Sequence, residues 1–157
     1  MKILGINSSL WYKSAHVFFA CAWFGSVLAV IIIYLFSSDQ EPVLFRHNSQ
    51  LMERIDKFII IPSSLLCYAT GILISWKTNW GFFKYKWVVV KLIIGTSLIL
   101  FGIFFLGPWI MAANTARDNE MFIAIQNKLG ASMIGQAIVI ATTIVISTIK
   151  PWGKLKI

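Results

Sequence analysis

Charged residues cut this chain into four long apolar stretches. Between Lys13 and Asp39 lie 25 uncharged residues, between Lys57 and Lys77 lie 19, and between Lys128 and Lys150 lie 21. Between Lys86 and Arg117 lie 30, interrupted only by Lys91. A helix rises ~1.5 Å per residue and the hydrocarbon core of a bilayer is ~30 Å thick, so ~20 mostly apolar residues span it. Each stretch meets that length. Hydrocarbon offers the backbone no hydrogen bonds, which leaves helices and closed barrels as the spanning structures. Barrel strands alternate apolar and polar residues over ~10 positions. Runs such as AVIIIYLF and WVVVKLII do not alternate. The pattern predicts one all-α domain over residues 1–157: a polytopic four-helix transmembrane bundle with helices at about 11–37, 58–76, 87–113 and 129–149.

The predicted links are short. Residues 38–57 carry Pro42 and then LFRHNSQLMERID, a stretch suited to a short surface helix. There Leu44, Phe45, Leu51, Met52 and Ile55 face the membrane or the protein. The second link is KTNWGFFKYK, and the third covers about residues 114–127. Pro62 and Pro108 fall inside the second and third helices, where kinks are expected. The first apolar run exceeds the ~7–15 residues of a signal-peptide core and reads as a retained anchor.

Composition agrees with a lipid environment. Apolar residues make up 58% of the 157 and charged residues 13%, against about 25% charged in soluble domains. The net charge of +8 does not mark a nucleic-acid surface, because the basic residues sit at the ends of apolar runs. Their placement sets orientation instead. With four crossings, one side holds Lys2, Lys13, Lys77, Lys84, Lys86, Lys150, Lys154 and Lys156 and no acid. The other holds Arg46, Arg54, Lys57, Arg117 and Lys128, with Asp39, Glu41, Glu53, Asp56, Asp118 and Glu120. Basic short loops stay cytoplasmic, so both ends are expected inside. Trp11, Trp76, Trp80, Trp87 and Trp152 fall at the same predicted boundary and Trp109 near the opposite one, where amphipathic rings are favoured.

Few polar groups enter the apolar stretches, and an ionisable one there points to function. His16 stands about one turn into the first helix and Lys91 about one turn into the third. Both helices start from the lysine side, so the two groups lie at similar depth, roughly 5–8 Å in. Neutral imidazole is a good iron ligand, and bundles build cofactor sites from inward side chains. His16 is therefore a candidate haem ligand and Lys91 its neighbour. The plainer alternatives are an imidazole bonded to a backbone carbonyl and a lysine that snorkels. Gly95 and Gly102 on the Lys91 face either admit a close helix or leave room for a flat ligand. His47 reads as a loop residue. Met111 and Met133 read as packing, Gln136 as a lone buried amide, and Cys21 and Cys67 as small hydrophobes. A soft-metal site joining both cysteines to His16 remains open.

The first helix opens WYKSAHVFFACAWFG and the third KWVVVKLIIG. Trp11, Lys13, His16, Trp23, Phe24, Gly25, Trp87 and Lys91 form a pattern that resembles a superfamily of small bacterial four-helix membrane proteins. It includes HemJ-type protoporphyrinogen IX oxidases, CopD-like copper-resistance domains and a related family without an assigned function. IDKFIIIPSSLLCYATGILIS and the ending KPWGK look most like the last. The resemblance implies haem b, with His16 as axial metal ligand, Trp23, Trp87 and Gly95 around the porphyrin, Lys91 as the catalytic partner, and a redox role. The first helix departs from HemJ-type proteins by ending VIIIYLFSSDQEP, with no arginine before Arg46. Beside this stand a transporter or accessory subunit, as a homo-oligomer or with a redox partner, and a copper-handling domain.

Overall fold

In the computed structural model the four apolar stretches are long helices. The structure describes residues 2–3, 6–37, 42–77, 81–115, 119–150 and 153. The expectations for Asp39, Glu41, Trp80, Arg117, Asp118, Trp152, Lys154 and Lys156 lie outside the described residues, as do those for the side chains of Lys2 and Leu44. A two-residue antiparallel pairing of β1 (Lys2–Ile3) with β2 (Ile6–Asn7) precedes the helices. The first span is α1 (Ser8–Ser37). The second joins α2 (Pro42–Ile55), a π-helical turn (Asp56–Ile60) and α3 (Ile61–Lys77). The third joins α4 (Lys86–Phe101), a π turn (Gly102–Leu106) and α5 (Gly107–Thr115). The fourth is α6 (Asn119–Ile149). All four helices are long and apolar enough to cross a membrane, which makes this a multi-pass membrane protein.

The helices pack in a ring, with α1 against α3, α3 against α4, α4 against α6 and α6 against α1. Neighbours run antiparallel. Lys77 at the end of α3 donates to Tyr12 at the start of α1, and Tyr34 near the end of α1 donates to the Gln126 carbonyl near the start of α6 at 3.0 Å. The start of α1 and the end of α3 therefore share one end of the bundle, the lysine end.

Both expected kinks resolve into π turns. A proline lacks the N–H that closes a helical turn, and its ring clashes with the carbonyl four residues back. Widening the preceding turn relieves that clash. In the second span the Ile61 N–H bonds the Asp56 carbonyl, five residues back, and Pro62 follows. In the third the Gly107 N–H bonds the Gly102 carbonyl in the same register, and Pro108 follows.

Two helices begin earlier than the charges suggest. The expected surface helix is α2, and it is continuous with the second span. It packs against α1 and α5, with Phe45 and Met52 fully buried and Leu51 exposed. Helix α6 begins ten residues before the sequence estimate. Phe122, Ile125 and Leu129 are buried at helical spacing while Lys128 faces out, so a charged residue interrupts the apolar run without ending the helix. The exposed surface carries large apolar side chains such as Phe18, Phe36, Phe58 and Ile138, whereas the interior admits Ser26, Ser37, Ser63, Ser64 and Ser75. Ser26, Ser37, Ser63 and Ser64 each donate to a carbonyl of their own helix. Large side chains outside and small ones at helix contacts suit packing within lipid.

At the acid-bearing end Tyr34, Phe45 and Phe122 stack edge to face, at 6.2 and 5.1 Å between centroids. The fully buried Ser49 bonds Asn114, and Asn114 donates to Glu53 at 2.6 Å. This ties α2 to α5.

Tyr34 lies directly over Gly130, so close that a methyl group there would overlap its ring. Gly130→Ala is expected to destabilise the bundle by about 1–3 kcal/mol through overpacking. Gly25→Ala, which meets nothing within 4 Å, is expected to leave stability unchanged or higher. Unfolding in detergent compares them. In a chain lacking Cys21 and Cys67, cysteines replacing Lys84 and Gly153 are expected to react with an impermeant maleimide from the same side of a vesicle. One replacing His47 is expected to react from the opposite side.

Candidate functional site

His16 sits where α1 crosses α3. Its Nδ1 lies 2.9 Å from the Cys67 carbonyl oxygen and 3.1 Å from the Thr70 hydroxyl. The Thr70 hydroxyl donates in turn to the carbonyls of Leu66 and Cys67. A carbonyl only accepts, so the neutral imidazole carries its proton on Nδ1 and keeps its lone pair on Nε2. Gly71 makes this contact possible: a Cβ there would stand 3.2 Å from His16 Cε1. The carbonyl-bonded imidazole of the plainer sequence reading is thus present, and it leaves Nε2 available for a ligand.

Lys91 lies on α4, across the bundle from α1. It donates to Ser147 of α6 at 2.9 Å and stands 5.8 Å from the centre of the Trp87 ring. Lys150 stands 5.8 Å over the same ring, so the buried Trp87 is a platform for two cations. Trp11 and Trp76 are exposed at this end, as expected of interfacial anchors.

The other sequence candidates separate. Trp23 stands ~10 Å further along α1 than His16, packed with Val27, Cys67, Ala137 and Ile140. Gly95 admits the Tyr68 ring, which a Cβ would approach to 3.2 Å, and the Tyr68 hydroxyl meets Thr96 at 2.7 Å. The space at Gly95 is therefore a helix contact. Gly102 meets nothing within 4 Å. His47, Met111 and Cys21 are exposed, and Met133 is buried among apolar side chains. Among the described residues no three His, Cys, Asp or Glu side chains gather to hold a metal ion.

A second polar locus, missed by the sequence reading, lies between the two π turns. Two adjoining cavities share Asp56, Ile60, Leu106 and Gln136 as walls. They leave about 10 and about 30 Å³ for the centres of water molecules. Room for one water takes ~10–15 Å³ by that measure, so the pair is water-sized. The larger is also bounded by Trp23, Ser64 and Gly102. Trp23 is 7% exposed and its indole Nε1 has no hydrogen-bond partner; Gln136 is 8% exposed. The charge count places Asp56 at the end of the link between the first two spans, outside the bundle wall. The apolar spacing Phe45, Met52, Ile60, Cys67, which runs through it, is the signal that places it on a continuous helix wall.

His16 thus offers a donor suited to haem iron, held by the carbonyl bond that orients metal-binding histidines. The two cavities do not approach porphyrin size, and neither is lined by His16 or Lys91. No family model, curated protein or solved structure matches the chain.

Proposed function

We propose that this protein binds haem b in a bacterial inner membrane, its lysine end cytoplasmic, and serves a redox role. One observation carries the reading: the Nδ1 of His16 is committed to the Cys67 carbonyl, which leaves Nε2 as a lone-pair donor on a partly buried side chain. When bound, haem supplies one-electron chemistry. His16 holds the iron. The Cys67 carbonyl and the Thr70 hydroxyl fix the ring orientation and raise its basicity. Lys91, kept on Ser147 and Trp87, provides a positive charge at the same level for an anionic group of the porphyrin or of its reaction partner. The resemblance to HemJ-type proteins, carried by eight positions that include His16 and Lys91, supports this reading.

The absorption spectrum of the full chain, purified in detergent from cells with ample haem, tests it. A Soret band is expected, lost in His16→Ala and retained in His47→Ala. Thr70→Val is expected to weaken haem affinity on the order of tenfold. Folded wild-type protein without the band rules the proposal out, and a band that survives His16→Ala rules out the ligand.

A further inference from the structure

The cavity between the π turns is independent of the haem reading and has its own chemistry. Trp23 and Ser64 each stand twelve residues from the tryptophans of the lysine end, Trp11 and Trp76, a rise of ~18 Å. Asp56 stands twenty residues from Trp76, ~30 Å. The cavity therefore runs from Asp56, at the rim facing the acid-bearing end, to just short of the middle of a core ~30 Å thick.

Its walls carry one acid. Within its own helix Asp56 is flanked by Glu53 and Lys57, which pair with each other at 2.5 Å, and Glu53 also accepts from Asn114. The walls contributed by α1, by α4 to α5 and by α6 bring no other titratable side chain among the described residues. What they bring is the Gln136 amide and the tryptophan whose N–H lacks an acceptor. A metal cation is a poor occupant, since hard cations take six or more oxygens and a nearby N–H donor opposes them. Water suits the cavity in size and chemistry. A water can accept from an indole N–H, exchange hydrogen bonds with an amide and donate to a carboxylate. A buried N–H without a partner costs ~1–3 kcal/mol, which favours an acceptor beside it.

We propose that this cavity is a hydrated proton-exchange site, in which Asp56 gives and takes a proton through water held among Asp56, Gln136 and Trp23. In the forward step the Asp56 O–H bond breaks, its proton passes to a cavity water, and the carboxylate remains. That water releases a proton towards the acid-bearing end. The reverse sequence restores the acid. The π turns supply the room, because the wider turns of both spans border the cavity with Asp56, Ile60, Gly102 and Leu106.

Infrared difference spectra of the full chain in lipid nanodiscs, recorded between alkaline and acid pH, test this. Subtracting the Asp56→Asn spectrum from that of the wild type is expected to leave one carboxyl C=O band, which moves to lower frequency in D₂O. Asp56→Glu, which keeps the acid should Asp56→Asn fold poorly, is expected to shift the band rather than remove it. Trp23→Phe is expected to keep the band at an altered frequency, and Gln136→Leu to slow its response to D₂O. Absence of the band from wild-type protein, or its persistence in Asp56→Asn, overturns the proposal. So does a band indifferent to D₂O, because the site is then dry.

Discussion

A backbone N–H or C=O in hydrocarbon has only protein to bond, and leaving one unpaired costs several kcal/mol. That constraint makes the four spans helical, and it makes their two internal prolines costly. Each proline removes a donor from a ladder that lipid cannot repair. The chain meets both interruptions in the same way. Pro62 and Pro108 each follow a five-residue π turn that closes with an i to i−5 hydrogen bond. The two turns belong to antiparallel neighbouring spans and meet at one cavity. The backbone's answer to proline thus sets where the interior is open.

The same constraint governs the side chains. Interior serines donate to their own helix backbone, which makes them neutral to lipid and small enough for close contacts. The larger polar groups bridge helices instead. His16 joins α1 to α3, Lys91 joins α4 to α6, and Ser49, Asn114 and Glu53 join α2 to α5. Each bond connects different spans, so satisfying the polar group also fixes the neighbour. Gly71, Gly95 and Gly130 let His16, Tyr68 and Tyr34 reach across.

The four spans were legible because a break in the charges is a one-dimensional signal of a ~30 Å slab. The charges failed where a helix outlasts the slab. Lys128 and Lys57 face outward on continuous helices, so neither marks a helix start. The shared depth of His16 and Lys91 was also legible, because rise per residue fixes level. Azimuth is not fixed that way. Residue order does not reveal that Tyr68 fills the space beside Gly95 or that Trp87 lies buried under two lysines. Asp56 was hidden for a related reason. Counted as a charge it belongs to a link, whereas counted on the helical period it belongs to a wall.

The two polar levels differ in how completely they are satisfied, and that difference separates holding a fold from awaiting a ligand. At the lower level Lys91 and Thr70 have protein partners, and His16 has one nitrogen bonded and one not. At the upper level an indole N–H is buried with none. Cys67 touches both levels, its carbonyl taking His16 and its side chain packing on Trp23. A shift of α1 against α3 that strengthens one contact therefore acts on the other. The His16 ring lies over Gly71, where a Cβ would stand 3.2 Å from Cε1, so the closeness of α1 to α3 depends on that glycine.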